Sequence, residues 1–577
     1  MRDDHAAVGV RAGRRLWRAG VAAVAVSLAV AGCAGVPTSG PVVYDSPPQA
    51  QVGSEVGVAP LPPSADASPS LVVEGFLHAM SVYQPDYAVA RQYLTPAASK
   101  NWDPGAKVEV YTSDDYPVTQ VDNDVVLSAR LVGTLDAGGR YQASSGKVLQ
   151  DFKLVRDAKN QWRISNPPTG LLISTYLFTA DYVSVDLHYL SADSSVMVPD
   201  VRWLPSGDNQ VLRALQLQVA GPGGWIKPLV SFASGVEVLG VATSGGLATV
   251  SLGGTATSLD ATGQKAVLAE LVLAAVQFSG VTRVEVTVGG VPWAMGGAAV
   301  TFTPSDFSSW APVAAVSPEV FAVSGGQVDD VTPTTSAPHL TAVTPGIRNP
   351  KAIAVSSATQ EVAALVQAKA GQAIETASIG GKDAPTTLRR APALVAPQYS
   401  RDGELWTVEP SGLATLQVFG AKAPLKVSLA DPPPGTVVSL AVSPDGTRLA
   451  VALKQEQGYE LGLLRVSRSN QTVTLDGWRT VPLPDTAPLV DVAWSGPTQL
   501  LVLAGDAQAG TSVLRITQDG ARSSYVGPNV DTPLVELAAS PGALALVRSQ
   551  TGMVYRFDAD FTWPLWLSDA QAVAFAQ

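Results

Sequence analysis

The chain has 577 residues, 46% of them hydrophobic and 15% charged, and its formal net charge at pH 7 is −11. This much apolar surface excludes a disordered chain, and the length accommodates three or more domains. The acidic balance argues against nucleic acid as a partner and against electrostatic adhesion to anionic lipid. The single cysteine, Cys33, excludes an internal disulfide.

The first segment has the shape of an export signal. Four arginines between positions 11 and 18 precede an apolar run over 19–31, which is shorter than the roughly 20 residues that a bilayer span needs. The run leads into Val30-Ala31-Gly32-Cys33, which resembles the lipobox of bacterial lipoproteins. The resemblance implies a signal peptide over 1–32, cleavage between Gly32 and Cys33, and an S-diacylglyceryl Cys33 that can also be N-acylated. An ordinary export signal with a buried cysteine, or an uncleaved anchor, is the alternative.

A tether and a small α+β domain are predicted next. Residues 33–70 hold eight prolines among Ser, Ala and Gly, a composition typical of semi-rigid spacers. From 71 to 94 the apolar spacing predicts two short helices separated by Gln84-Pro85-Asp86, with Asp86 as the N-cap of the second. Strand-like runs follow at 107–111, 125–135, 141–147, 148–155 and 162–164. This element order, over 71–168, is similar to the cone-shaped domains related to nuclear transport factor 2.

Residues 180–295 are predicted to form a second α+β domain. An alternating strand over 183–189 precedes Pro199–Trp203 and a helix from Val211 that ends at Gly221-Pro222. Strands at 236–242 and 247–252, a helix at 262–278 and a strand at 281–288 complete the pattern. The order, with its Ala-Gly-Pro and Gly-Val-Pro punctuation, resembles the GerMN domain of spore germination proteins and envelope lipoproteins. That domain has no established enzymatic activity, so the resemblance implies a fold rather than a reaction.

The last part of the chain repeats. Two apolar or aromatic residues, a serine, a turn and a strand recur in cassettes at Ser356, Ser400, Ser443, Ser495 and Ser540. A period of 40–45 residues built from hairpins predicts an all-β propeller of five or six blades over 313–577. Residues 294–350 are predicted to be mostly connector, with one strand, Val320–Val323, that closes the ring on the final blade. A β-sandwich is the alternative.

Reactive constellations are scarce in the sequence, which contains no zinc, Walker or dinucleotide motif and no Gly-x-Ser-x-Gly elbow. Ser184, Asp186 and His188 alternate along one strand, where three side chains in line cannot form a relay, so a solvated sheet face is the favoured interpretation. Asp329-Asp330 is interpreted as a solvated loop, and Asp445 as a turn residue that bonds its own backbone. No catalytic, cofactor or metal site is predicted. A set of tryptophans is assigned mainly to core and inter-blade packing, namely Trp203, Trp225, Trp293, Trp310, Trp406, Trp478, Trp494, Trp563 and Trp566.

Lipobox, stalk, two α+β domains and propeller, in this order, resemble the LpqB family of actinobacterial lipoproteins across essentially the whole chain. The carriers are the lipobox followed by Gly35-Val36-Pro37-Thr38-Ser39-Gly40-Pro41, the GerMN-like unit and the cassettes. The resemblance implies an accessory protein anchored through Cys33 to the outer face of the cell membrane. Its implied partner is the extracytoplasmic domain of a sensor histidine kinase in the MtrA–MtrB system, with a role in envelope homeostasis and division. A binder of peptidoglycan, sugar or peptide, and an envelope hydrolase, are the other hypotheses.

Overall fold

The computed structural model describes residues 60–113, 118–121, 124–295, 299–313, 319–332, 338–344, 346–420, 423–484, 487–506, 508, 510–542 and 545–577. The predicted signal peptide, Cys33 and most of the predicted tether lie outside these residues. All of the described residues belong to one compact unit, Pro47–Gln577. Among them, no helix is both long and apolar enough to cross a bilayer.

The first domain packs short helices against a five-stranded sheet. Its helices are α1 (Pro69–Ser81), α2 (Ala88–Arg91) and α3 (Pro96–Asn101), and its strands are β1 (Val108–Tyr111), β2 (Val118–Val121), β3 (Asp124–Leu135), β4 (Tyr141–Asp151), β5 (Leu154–Arg156), β6 (Trp162–Ile164) and β7 (Leu171–Ser174). The sheet runs β2-β3-β1-β7 with β4 also on β3, and β5 pairs only with β6. Phe76 of α1 packs against Trp102 and Phe152 in the centre of this domain. The predicted α+β class is confirmed, whereas the likeness to nuclear transport factor 2 stays a prediction.

The helix start predicted at Asp86 is wrong. Asp86 lies in the 3₁₀ turn Pro85–Tyr87 with a φ of 55°, and its carboxylate accepts a hydrogen bond from Arg91 at 2.8 Å. The left-handed backbone at Asp86 and Tyr87 delays α2 until Ala88. The sequence analysis also missed α3, although Thr95 followed by proline is a recognised helix start. The Thr95 side chain accepts a hydrogen bond from the Ala98 N–H at 3.2 Å.

The middle domain places two helices on a mixed sheet. After α4 (Thr175–Asp181), its elements are β8 (Tyr182–Leu190), β9 (Met197–Pro205), α5 (Gln210–Ala220), β10 (Val236–Ser244), β11 (Gly246–Gly254), α6 (Ala261–Ala275), β12 (Val281–Val288), β13 (Val291–Pro292) and β14 (Thr301–Phe302). Every element predicted here is present. Gly221 ends α5 with a φ of 106°, and Asp260 caps α6 by accepting a hydrogen bond from the Gly263 N–H.

The last part of the chain is a propeller. Its strands are β15 (Val320–Ser324), β16 (Gln327–Thr332), β17 (His339–Ala342), β18 (Ala352–Ser356), β19 (Glu361–Gln367), β20 (Gln372–Ser378), β21 (Thr386–Ala391), β22 (Gln398–Tyr399), β23 (Leu405–Thr407), β24 (Gln417–Phe419), β25 (Pro424–Leu429), β26 (Thr436–Val442), β27 (Arg448–Lys454), β28 (Tyr459–Ser469), β29 (Thr472–Val481), β30 (Leu489–Trp494), β31 (Gln499–Asp506), β32 (Gly510–Thr517), β33 (Ser523–Gly527), β34 (Leu534–Ala538), β35 (Leu546–Ser549), β36 (Val554–Arg556), β37 (Leu565–Leu567) and β38 (Ala570–Phe575). The described strands form six four-stranded blades, of which five run β18–β21, β22–β25, β26–β29, β30–β33 and β34–β37.

The remaining blade closes the ring, because it combines strands from both ends of the propeller. β38 pairs antiparallel with β15, and Val320 lies opposite Phe575. The predicted closing strand at Val320–Val323 is therefore confirmed. The connector predicted over 294–350 is too long, since β16 and β17 complete this blade. Gly325 and Gly326, both with positive φ, supply the two-residue turn between β15 and β16, a hairpin signal that was present in the sequence.

The cassette serines mark the ends of the innermost strands. Ser443 directly follows β26, and the Gly446 N–H bonds the Ser443 carbonyl at 2.8 Å. Ser400 and Gly403 repeat this turn after β22 at 2.9 Å. Both glycines have a φ of 74°, as the predicted Asp-Gly turns require. The repeat thus lies at one end of the blades.

Polar side chains join successive innermost strands. Ser439, Asp491 and Glu536 each lie at a bulge in β26, β30 and β34 respectively. The Asp491 carboxylate accepts hydrogen bonds from the Ser439 hydroxyl at 2.6 Å and from the Leu537 N–H at 2.9 Å. Glu536 accepts one from the Val573 N–H on the closing strand at 3.3 Å. Three neighbouring blade junctions are therefore bonded by side chains.

One hairpin of the propeller extends beyond its own blade. The first residue of β27, Arg448, pairs with Arg465 of β28. β28 runs on to Ser469, so the tip of the β28–β29 hairpin extends beyond β27. The extension pairs in parallel with β25 of the preceding blade, where Lys426 lies opposite Thr472. Two blades are thereby joined into one eight-stranded sheet. This extension forms one wall of the site described next.

Candidate functional site

The three domains meet at Trp203 on β9. Its ring packs against Phe178 of α4 with centroids 4.9 Å apart, in the core of the first domain, and only 1% of Trp203 is exposed. Its indole N–H donates a hydrogen bond to the Asp519 carboxylate of the propeller at 2.8 Å. The Arg522 guanidinium lies 4.9 Å from the same ring and donates to the carbonyls of Phe178, Thr179 and Tyr182. A buried side chain thus fixes the propeller to both preceding domains.

A second tryptophan, Trp225, fixes the middle domain to the outer strands of one blade. Its indole N–H donates to the Gly477 carbonyl at 2.7 Å, and its own carbonyl accepts from Arg465 at 3.0 Å. The Arg479 guanidinium lies 4.3 Å from its ring. We call the contact formed around Trp203 and Trp225 the seam. Of its hydrogen bonds, the one between Trp203 and Asp519 is buried, which makes it harder to replace by water.

A buried ion pair supports the propeller side of the seam. Asp445 and Arg448 have fully buried side chains and pair with each other. Asp445 also accepts hydrogen bonds from the Thr447 N–H at 2.7 Å and from the Ser443 hydroxyl at 2.8 Å. The predicted role of Asp445 as a turn residue is confirmed. The Arg448 guanidinium also donates a hydrogen bond to the Pro497 carbonyl of the next blade at 3.0 Å. The turn therefore also stabilises the contact with that blade.

The strand carrying Ser184, Asp186 and His188 does not present a solvated face, and that prediction is wrong. The propeller covers it: Thr498 donates to both oxygens of the Asp186 carboxylate, at 2.9 and 3.1 Å, and His188 is 6% exposed. Burial raises the pKa of Asp186 to about 6 and lowers the pKa of His188 to about 4. The His188 imidazole is therefore neutral at pH 7, and its Nδ1 has no hydrogen-bond partner. Geometry and protonation both argue for a structural contact.

A cleft of about 130 Å³ opens along the seam. The middle domain contributes the β8–β9 loop with Ser191, Asp193 and Ser195, and the propeller contributes the turn Arg401-Asp402 and Arg468 of the long hairpin. The lining is polar and apolar in nearly equal parts, and its charged side chains carry both signs. This site was not predicted, because its residues lie far apart in the chain, although the Arg-Asp-Gly cassette turn contains two of them.

The other sequence-predicted candidates lie apart from the cleft. The interpretation of Asp329-Asp330 as a solvated loop is wrong, because both residues lie on the paired strand β16 and Asp329 is buried. No group of three or more acidic, histidine or cysteine side chains suited to a metal occurs among the described residues. Cys33 and the cleavage site lie outside the described residues. The predicted packing role of the tryptophans is confirmed where they can be assessed. Four are buried, Trp203, Trp406, Trp494 and Trp563, and the other five of the set are half-buried.

Comparisons with known proteins decide the family. The model of the LpqB N-terminal domain matches residues 62–179, that of sporulation and spore germination matches 186–293, and that of the LpqB beta-propeller domain matches 321–569. Lipoprotein LpqB of Cutibacterium acnes is 30% identical over 96% of this chain and 98% of its own length. The chain belongs to the LpqB lipoprotein family.

Other relatives agree with this assignment. Lipoprotein LpqB of Rhodococcus opacus is 25% identical over 90% of each chain. Among solved structures, TolB from Acinetobacter baumannii aligns with 64% of this chain and 94% of its own at 10% identity and a TM-score of 0.34. The recognition of the LpqB family, of a GerMN-like central unit and of a propeller is confirmed. The predicted domain boundaries stay predictions.

Proposed function

We propose that this LpqB-family protein is a lipid-anchored accessory on the extracytoplasmic face of the cell membrane that binds another protein. The partner is the extracytoplasmic domain of a sensor histidine kinase of the MtrA–MtrB type, and the outcome is modulation of envelope homeostasis and division. Cys33 carries the lipid, and residues 33–70 form the tether. Two acyl chains are needed because a single chain binds membranes only marginally.

The seam is the observation that carries this proposal. Trp203, through a buried hydrogen bond, and Trp225, through a partly buried one, hold the propeller against two α+β domains. Such a body presents a fixed surface on a tether. The buried indole N–H of Trp203 and the Asp519 carboxylate are used in contacts between domains, and the sequence contains no motif of a catalytic nucleophile with its base. Binding of a protein therefore accounts for the architecture better than turnover of a substrate.

The test is crosslinking in intact cells followed by capture from detergent-solubilised membranes. Wild-type protein, Cys33→Ala and a matched substitution in the same segment, Ser39→Ala, are compared. We expect the kinase ectodomain to be captured with the wild type and with Ser39→Ala. Cys33→Ala should leave the membrane fraction and capture less kinase. A membrane-bound Cys33→Ala protein would contradict the lipid anchor, and wild-type capture without any kinase would contradict the assigned partner.

A further inference from the structure

We propose that the cleft at the seam binds a small zwitterion, a free amino acid or a whole short peptide with both ends free, between the middle domain and the propeller. The ligand carries an ammonium group toward Asp193 and Asp402 and a carboxylate toward Arg401. This site goes beyond the partner-binding role proposed above and does not depend on it.

The charged side chains of the cleft differ in how far the protein itself satisfies them. Arg468 is bound by Glu404 through two nitrogens, at 2.9 and 2.7 Å, and donates to the Gly446 carbonyl at 2.7 Å. Among the described residues, Arg401 makes one hydrogen bond, from a single nitrogen to the Ala311 carbonyl at 3.0 Å. Its remaining N–H groups are free to meet a carboxylate, for which the planar guanidinium is well suited.

The two carboxylates have open acceptor sites. Asp402 is exposed in its turn, and no hydrogen bond from the described residues reaches its side chain. Asp193 accepts hydrogen bonds through a single oxygen from the hydroxyls of Ser191 and Ser195, at 2.6 and 2.7 Å, and from the Ser195 N–H at 3.1 Å. No side chain of the described residues bonds its second oxygen. Despite partial burial, these bonds hold the pKa of Asp193 below its usual value, so it is ionised at neutral pH.

The opposite charges lie close together in one cleft. Asp402 Oδ2 is 3.7 Å and an Arg468 terminal nitrogen 3.5 Å from the position that a Cβ on Gly446 would occupy. Burial lowers the pKa of Arg468, but the hydrogen bonds and charge of Glu404, with the charges of Asp402 and Asp193, raise it overall. The lining is thus nearly balanced in charge. A ligand of one sign would leave one set of groups unmatched, whereas a zwitterion matches both.

Size and position add to the case. A volume of about 130 Å³ holds several waters or a molecule of the size of an amino acid. Because Asp193 belongs to the middle domain and Asp402 to the propeller, one ligand would contact both and stabilise the seam. Ligand binding to the folded state raises the apparent stability by mass action.

Titration calorimetry with the full mature chain in detergent tests the site. The probes are D- and L-alanine, alaninamide, which lacks the carboxylate, propionate, which lacks the amine, and dialanine. We expect at least one alanine enantiomer to bind at least tenfold more tightly than alaninamide or propionate. Dialanine binding as tightly as alanine would assign the site to short zwitterionic peptides, and loss of dialanine binding would assign it to a free amino acid.

Matched substitutions separate the cleft from the rest of the surface. Asp402→Asn and Arg401→Gln should each weaken alanine binding at least tenfold, and Arg401→Lys less than Arg401→Gln. Asp431→Asn and Arg390→Gln, at exposed positions elsewhere on the propeller, should leave it unchanged. No hydrogen bond from the described residues reaches the Asp402 side chain, so we expect Asp402→Asn to keep the fold, which the melting temperature verifies. Absent alanine binding, or binding that Asp402→Asn does not change, would show a hydrated seam and overturn the proposal.

Discussion

Arg448→Met is the substitution that most directly tests how the seam side of the propeller is held together. Arg448 and Asp445 are both fully buried and paired, and Arg448 also lies 5.1 Å from the Trp494 ring. Methionine fills a similar volume but leaves the Asp445 carboxylate buried without a counter-ion. Breaking a buried ion pair from one side costs about 3–5 kcal/mol, more than most single substitutions.

The magnitude can be separated into its parts with a double substitution. Asp445→Asn alone leaves a buried arginine unpaired and should cost about as much as Arg448→Met. Together they remove both charges, and asparagine keeps an oxygen for the Thr447 N–H, which Asp445 bonds at 2.7 Å. Replacing a whole buried pair is often close to neutral, so the double variant should cost less than the sum of the singles by about 3 kcal/mol or more.

Urea unfolding at pH 7, followed by tryptophan fluorescence, measures these free energies of unfolding. Arg515→Met is the matched control, because the Arg515–Asp560 pair is 29% and 50% exposed and should contribute less than about 1 kcal/mol. An Arg448→Met protein no less stable than Arg515→Met would refute the reasoning. Additive single costs would refute it equally, since they would mean that the two charges do not compensate each other.

Three further substitutions test the packing of the three domains. Burial raises the pKa of Glu270 on α6 from 4.5 to about 8, so wild-type stability should fall between pH 4.5 and 8 by up to about 1.4 kcal/mol per pH unit, because only the unfolded chain ionises there. Urea midpoints at pH 5 and 8 should show this decline reduced in Glu270→Gln, and equal slopes would contradict it. Trp203→Phe removes the hydrogen bond to Asp519. Trp406→Phe is the control, because Trp406 is equally buried but its indole N–H has no partner among the described residues. The free energy of unfolding should therefore fall by about 1.5–3 kcal/mol more in Trp203→Phe than in Trp406→Phe. Equal melting temperatures would contradict this. Glu536→Ala leaves Arg548, which pairs with it at 2.6 Å, without its partner and should speed hydrogen exchange in Ala570–Phe575 more than Glu536→Gln, and indistinguishable exchange would contradict a closing role.

The middle domain and the propeller repeat were the most predictable parts of the fold, for local reasons. α5, α6 and β12 follow apolar periodicity and caps that lie within a few residues of each other. The turns at Gly403 and Gly446 need positive φ, which an Asp-Gly pair reveals directly. The prediction of Asp86 as an N-cap was wrong because the surrounding turn sets its left-handed backbone. An N-cap rule based on residue type alone does not include that context.

The site could not be predicted in the same way, because it depends on which surfaces meet. Alternation placed Asp186 and His188 on one strand face correctly, but whether that face meets water or another domain is decided some 300 residues later, at Thr498. The inner-strand side chains were different. Ser439, Asp491 and Glu536 each precede a cassette serine by four positions, so a signal for them was present in the repeat. It was missed because the repeats were compared only from the two residues before the serine onward.

The cassette turn has two roles in this family member, and that combination explains why the cleft lies where it does. Five of the six blades continue from the innermost strand into a turn, and the repeat supplies that turn with serine and, in two blades, with Asp-Gly. In those two blades the turn residues also face the middle domain: Asp445 is neutralised by Arg448, whereas Asp402 stays exposed. The turn between the innermost strand and the next strand is held by its backbone hydrogen bond. The side chain of Asp402 is therefore left available for binding, in a turn that the fold would build in any case.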